Sequence, residues 1–449
     1  MAPLREHLPI SHPRRPALEA GSGRDLALPP PPATAEDTGL PFFFLCDLVL
    51  KTLFFHGSML GREIADRACV PWAMVAEILK FVSGEGYCGT TGLRGPLKHH
   101  ETFAQGLQYS ITTAGRERAR ELFELSQYAG PAPVPLEDYL AVARAQAQEI
   151  PAVTDRVLQR VLRELVLAPS VLHQLGPGLR ARQAIFIYGP PGNGKSTLAE
   201  ACATLLGGPI FIPHAVYVHG EVIRLFDPLH HRPVEGPLPE HDRRWTLCDR
   251  PVVRAGGELT KRELELGFDP GLRFYDAPLQ MKANGGLFLI DDFGRQAVPA
   301  RDILNRLVVP LEAGHDFLNI ARASTTVAVP FTELLMLSTN IEPRELVDEA
   351  FLRRVRYKVQ VPDPTEAEFR EIFRRVCGAR QLAYDDEAVT RLLHDYYHRV
   401  GRALHGCHPR DLVDHVIHAA GYFEVEPSLS PELVDHAVIA YFGDIGQQR

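Results

Sequence analysis

Ala184-Ile185-Phe186-Ile187-Tyr188-Gly189-Pro190-Pro191-Gly192-Asn193-Gly194-Lys195-Ser196-Thr197 is the stretch from which the rest of the chain is best read. Its first five residues are a short apolar run, the signature of a buried strand. The next eight fit GxxxxGK followed by serine or threonine at every fixed position. A helical pattern from Thr197 to Leu206 follows, so the motif stands in the strand–loop–helix context it requires. The glycines let backbone N–H groups converge on phosphate oxygens without side-chain obstruction, and the helix N-terminus adds its positive end. Gly189, Pro190, Pro191, Gly192, Asn193, Gly194, Lys195, Ser196 and Thr197 are therefore the expected nucleotide-binding segment. Lys195 is expected to reach the β- and γ-phosphates of ATP, and Ser196 to give its hydroxyl to Mg²⁺.

Working downstream, Leu287-Phe288-Leu289-Ile290-Asp291-Asp292 reads as a second buried strand ending in paired acids, 96 residues after the lysine. A parallel strand presents ligands at its carboxyl end. Asp291 is thus expected to join Ser196 in holding Mg²⁺, and Asp292 to polarise the attacking water.

In these two motifs the chain resembles an AAA+ ATPase from about Glu149 onward. Leu335-Met336-Leu337-Ser338-Thr339-Asn340 resembles the sensor 1 strand of that family, which implies that Asn340 sits between the phosphate and the attacking water and orients the water. Asp348 to Arg356 resembles the arginine-finger segment, implying that Arg353 or Arg354 reaches the γ-phosphate of a neighbouring subunit. His408-Pro409-Arg410-Asp411-Leu412 resembles sensor 2, implying that Arg410 reads the γ-phosphate from the lid. Gly285-Gly286 before the acids, and a hairpin pairing Asp316–Ile320 with Thr326–Val329, are similar to the MoxR and enhancer-binding groups. The resemblance implies an ATP hydrolase that works as a ring, expected to be hexameric, and remodels a partner protein. Two features depart from the family. Asp292 stands where glutamate is usual, one methylene shorter. The β-like material between 209 and 270 is long for a compact core. In that stretch Val216–Val218 and Val222–Ile223 read as a hairpin across His219-Gly220, and Pro251-Val252-Val253 with Gly256-Gly257 as another.

The expected fold is an α/β P-loop NTPase core with a parallel sheet and a C-terminal helical lid, plus a separate N-terminal winged-helix-like domain. The boundaries are read as 1–39, a proline-rich disordered tail; 40–129, the winged-helix-like domain; 130–150, a linker opened by Gly130-Pro131-Ala132-Pro133-Val134-Pro135; 151–362, the core; and 363–449, the lid, with helices near 365–377, 386–400, 409–422 and 431–441. In the N-terminal domain, two short helices around Pro71 form a helix-turn-helix pattern. Thr113 is the expected cap of the helix that follows.

Residues 40–130 hold nine Lys/Arg and nine Asp/Glu. The would-be recognition helix offers Lys80 as its one cation. Duplex binders place several cations on phosphates, so protein docking is favoured over DNA contact. An ATP-gated DNA-binding regulator, or a nucleotide switch with little turnover, stand as the alternatives. The whole chain carries a net charge of −8 and seven scattered cysteines without a CxxC pair. That usage reads as reduced thiols, and with no apolar run long enough to span a bilayer it points to the cytoplasm. His394 and His398 share a helix at metal-binding spacing, but no glutamate stands in the catalytic position between them.

Overall fold

The computed structural model describes residues 29–93, 103–237, 240–346 and 349–443. Five short strands form the central sheet: β1 (Ile185–Tyr188), β2 (Val252–Ala255), β3 (Leu287–Ile290), β4 (Leu334–Thr339) and β5 (Tyr357–Gln360), in the order β2-β3-β4-β1-β5, the inner three mostly apolar and the two edge strands carrying Arg254, Lys358 and Gln360. Every neighbouring pair is parallel. Parallel sheets are covered on both faces, which explains the unbroken hydrophobic runs. Ile185, Ile187, Leu287, Leu289 and Met336 face one core cluster, while Phe186, Phe288, Ile290, Leu335 and Leu337 face the other.

The register sets where function can sit. Ile290 pairs with Leu337 and Thr339 with Tyr188, so β1, β3 and β4 end at one edge. The residues that follow them are Gly189, Asp291 and Asn340. The core is an α/β P-loop NTPase fold with a helical C-terminal part. That part comprises Glu366–Ala379, Asp386–Leu393, His408–Tyr422 and Pro431–Phe442 around its own core of Phe369, Phe373, Leu412 and Val416. A capping box, Thr365 with Glu368, starts it. The helix expected over 386–400 changes to a wider turn at His394–His398.

The N-terminal unit runs helix Phe42–His56, strand Ser58–Leu60, helices Gly61–Ala68 and Trp72–Gly84, then strands Cys88–Leu93 and Leu107–Ile111. Its three strands form an antiparallel sheet with Leu107–Ile111 in the middle. Thr112, not Thr113, caps the next helix, its hydroxyl accepting from the Gly115 N–H at 3.0 Å. The residue before had to be extended to pair in the sheet, which places the cap one position earlier.

Between 209 and 276 the chain forms an antiparallel pair, Ile210–Pro213 with Trp245–Cys248, and four strands of a second, five-stranded sheet completed by Val134–Pro135. Its order is Gly267–Asp269, Phe274–Asp276, Glu221–Arg224, Ala215–Val218 and Val134–Pro135. The hairpin across His219-Gly220 is present, with Val218 opposite Glu221. The hairpin expected at 251–257 is not: Val252–Ala255 joins the core sheet as edge strand β2, parallel to β3. Three apolar or small residues beside a pair of glycines look the same locally in either role.

Two proline-rich stretches are more ordered than their composition suggests. Val134 and Pro135 pair with Val216 and Tyr217, so this part of the expected linker is a sheet edge, where proline is tolerated. Residues 29–39 are likewise packed: Thr38 is fully buried, and the Pro29 carbonyl accepts from the Asp242 N–H at 2.8 Å. Arg244 makes the tie, donating to the carbonyls of Thr38 (2.9 Å) and Pro133 (3.2 Å) while pairing with buried Asp242. The N-terminal core is continuous with the second sheet through Ala215, Val222 and Phe274.

Candidate nucleotide site

At the end of β1 the chain turns through Gly189 at φ 141°, where a Cβ would lie 2.1 Å from the Val361 carbonyl. Only glycine fits both the backbone and the gap. The loop then wraps to Gly194, which caps helix Lys195–Ala203 from the left-handed region. The first N–H groups of that helix have no intrahelical acceptor and point into the loop.

Lys195 is buried, and its ammonium donates to the carbonyls of Gly189 (3.0 Å) and Pro190 (2.7 Å) and to Asn340 Oδ1 (2.6 Å). Burial lowers its pKa, opposed by the charges of Asp291, Asp292 and Asp363. Ser196 donates to both oxygens of Asp291, at 2.9 and 2.8 Å. Burial alone would raise the Asp291 carboxyl. Hydrogen bonds from Ser196 and Ser338 and the charge of Arg254 outweigh it and hold the group below the usual carboxylate range. A hydroxyl beside an ionised carboxylate is a hard-oxygen donor set suited to Mg²⁺.

Asn340 also donates to Asp292 Oδ1 at 3.4 Å, completing a line from Lys195 through Asn340 to the second acid. Asp292 takes φ 47°, a left-handed conformation that aspartate tolerates. The turn is fixed from below by Gln296, whose amide donates to the carbonyls of Asp291 and Asp292, and by Thr339, which donates to Phe293. Three chain segments up to 145 residues apart thus converge on one point.

The lid meets the loop directly. Asn193 turns its side chain toward the lid. It donates to Asp363 Oδ1 (2.8 Å) and the Pro362 carbonyl (3.2 Å), and accepts from the Gly406 N–H (2.8 Å). His405 shares the same Asp363 oxygen at 2.8 Å. A Cβ on Gly192 would meet Cys407 Sγ at 2.5 Å. Beside this contact lies an open groove lined by Leu167, Val171, Asn193, Val361, Ile372 and Gly406. A recess elsewhere, lined by Tyr139, Phe211 and Met281, includes no residue of the phosphate loop.

The structure therefore brings together Gly189–Thr197, Asp291, Asp292 and Asn340. The three arginines have other partners. Arg353 is exposed and pairs with Glu349 at 3.5 Å, and Arg354 bonds Glu312 at 2.6 Å. Val347 and Asp348, at the start of the same motif, lie outside the described residues. Arg410 stands in the first turn of His408–Tyr422, just past the segment that touches the loop, and its guanidinium bonds Asp411 at 2.9 Å. One residue of the site is missed by sequence reading: Arg254 on β2, which bonds Asp291 at 2.5 Å. A lone charge in an otherwise buried strand was its only signal, and the misread hairpin at 251–257 hid it.

Known proteins match parts of this chain. Residues 365–440, the helical C-terminal part, match a family described as a domain of unknown function, DUF8689. A spastin of Anopheles gambiae is 40% identical over 70 residues, which is 15% of this chain and 8% of that protein. A Drosophila melanogaster spastin is 49% identical over 49 residues, 11% of this chain and 6% of the relative. The chain thus spans less than a tenth of the curated relatives it matches. Among solved structures, NtrX from Brucella abortus in complex with ATP covers 72% of this chain and 62% of its own, at 14% identity and a TM-score of 0.36. The Thermotoga maritima RuvB Holliday junction branch migration motor covers 65% and 72%, at 14% identity and a TM-score of 0.34. Among the described residues no helix is long and apolar enough to cross a membrane.

Proposed function

We propose that the chain binds and hydrolyses ATP with Mg²⁺, as an AAA+ ATPase that assembles into a ring and remodels a partner protein. The observation that carries this reading is the convergence of Lys195, Asn340 and Asp292 beside the Ser196–Asp291 pair, at the shared carboxyl edge of β1, β3 and β4.

In this reading the loop N–H groups and Lys195 bind the phosphates; Lys195 exchanges its carbonyl partners for phosphate oxygens. Ser196 and Asp291 hold Mg²⁺, which supplies charge neutralisation at the β- and γ-phosphates. Asp292 and Asn340 orient the water, the carboxylate accepting its proton and the neutral amide fixing its direction. The groove beside Asn193 takes the base, since it adjoins the loop and is lined mainly by apolar side chains, with Asp363 and Glu368 as its charged groups. Arg410 enters from the lid and Arg353 or Arg354 from a neighbouring subunit. The glutamates that now pair with Arg353 and Arg354 are exposed enough to be exchanged at small cost, and Asp411, which Arg410 would leave, keeps a hydrogen bond from Tyr441. The link through Asn193, Asp363 and Gly406 transmits the state of the loop to the lid, a hinge-type response.

The N-terminal unit serves partner docking in this proposal. The outer face of Trp72–Gly84 offers Ala73, Glu77, Lys80 and Phe81, with Phe43 packed edge-on against Phe81. An exposed aromatic pair beside a single cation suits a protein surface better than a phosphate backbone. The short Asp292 side chain favours a second reading, a nucleotide switch with little turnover. Steady-state ATP turnover, together with the solution mass with and without ATP, tests the proposal. Mg²⁺-dependent turnover in an assembly larger than the monomer is expected. Bound ATP without turnover selects the switch, and absence of both turnover and binding removes the proposal.

A further inference from the structure

The Mg²⁺ carboxylate of the proposed function already has a cation. Arg254 reaches across from β2 and donates to Asp291 Oδ2 at 2.5 Å, while Ser196 occupies both carboxylate oxygens and the Asp292 N–H donates to Oδ1 at 3.1 Å. The Asp291 side chain is 8% exposed, so its charge needs a close partner, whereas that of Arg254 is 54% exposed. A guanidinium does not lose its proton at any working pH, so it leaves the carboxylate only by moving. A second partner is already engaged: Glu200, on the helix that begins at Lys195, accepts from the other amino group of the same guanidinium at 3.4 Å and is 41% exposed, so it can retain the arginine when Asp291 is released. Because β2 is the edge of the sheet, the swing toward Glu200 stays at the surface.

We propose that Arg254 is a built-in counter-ion for Asp291 that competes with Mg²⁺, handing the carboxylate over by shifting to Glu200, so that the Arg254–Glu200 pair sets metal affinity. The inference rests on the reading of Gly189–Ser196 and Asp291 as the Mg²⁺–ATP site. It adds a positioning role for two residues outside the nucleotide motifs. The carboxylate is kept paired when metal is absent, which avoids a buried unpaired charge, and the metal has to displace a partner to enter.

Mn²⁺ is the probe, with free ion counted by paramagnetic resonance while full-length protein saturated with ATP is titrated. Arg254→Gln removes the competitor and is expected to tighten Mn²⁺ by roughly three- to tenfold, the range of a half-exposed ion pair. Arg254→Lys is expected to fall between this variant and the wild type. Glu200→Gln removes the alternative partner, holds Arg254 on Asp291 and is expected to weaken Mn²⁺. Opposite signs for the Arg254→Gln and Glu200→Gln variants exclude a general loss of folding as the cause. Unchanged or weaker Mn²⁺ binding in Arg254→Gln, with ATP still bound, overturns the counter-ion proposal alone. Absence of ATP binding in the wild type overturns the nucleotide reading beneath it.

Discussion

Arg244 carries the sharpest energetic prediction because it is buried, charged and shared between distant segments. Its side chain and that of Asp242 are each 3% exposed. Its guanidinium makes contacts of 2.8–3.1 Å to Asp242 and donates to the Thr38 and Pro133 carbonyls. Arg244→Met keeps most of the volume but leaves a buried carboxylate without its counter-charge and two carbonyls without a donor. Breaking one side of such a pair costs about 3–5 kcal/mol. The neighbouring Arg243–Asp66 pair is more than half exposed, and Arg243→Ala is expected to cost no more than about 1 kcal/mol. The double variant Arg244→Met with Asp242→Leu removes both charges and is expected to recover most of the loss. Urea unfolding followed by tryptophan fluorescence suits the question, since Trp72 reports on the N-terminal unit and buried Trp245 on the core that packs against the second sheet. Equal midpoints for Arg244→Met and Arg243→Ala would refute the claim that this pair staples the N-terminal unit to the second sheet.

Other outcomes follow from the same geometry. Glu333 is buried, and burial, with the nearby Asp316 charge, raises its pKa well above 4.5 against the backbone N–H groups of Glu333 and Thr332, which favour the charged form. The folded state therefore holds a proton that the unfolded state releases. Stability from this group is lost as pH rises above 4.5 toward the folded value. Thermal melts from about pH 5 to about pH 8 should show Glu333→Leu gaining on the wild type as pH rises, and a constant difference would contradict this. Asn193→Ala removes three hydrogen bonds of the loop, two of them to the lid at Asp363 and Gly406, and should cost about 1–2 kcal/mol, with faster amide exchange over 405–411; unchanged exchange would show the link to be idle. Asp292→Glu lengthens the second acid by one methylene and should raise single-turnover ATP hydrolysis by about tenfold or more, whereas a fall would show that the left-handed turn is built for aspartate.

The parts of this molecule legible in sequence are those written in contiguous residues. Ile185–Tyr188 and Leu287–Ile290 are apolar because a parallel sheet is covered on both faces, and the loop and acids that follow them are set by strand register. The hairpin of His315–Ile320 with Thr325–Pro330 was expected from the family resemblance, and the two strands pair antiparallel as that resemblance implies. What escaped reading depends on partners far along the chain. Residues 29–39 look disordered until Arg244 and Asp242 are seen to hold them. Val252–Ala255 has no pattern that separates a core edge strand from a hairpin arm, so Arg254 could not be placed beside Asp291. The Asn193 contacts require Pro362, Asp363 and Gly406, 169 to 213 residues downstream.

The central claim is that Gly189–Ser196, completed by Asp291, is a Mg²⁺–ATP site. Calorimetric titration of ATP in the presence of Mg²⁺ into wild type and Lys195→Ala tests it most directly. The account predicts saturable binding to the wild type that weakens at least about tenfold without the lysine, as expected for a lost charge-assisted hydrogen bond to phosphate. Equal affinity in the two proteins would contradict it.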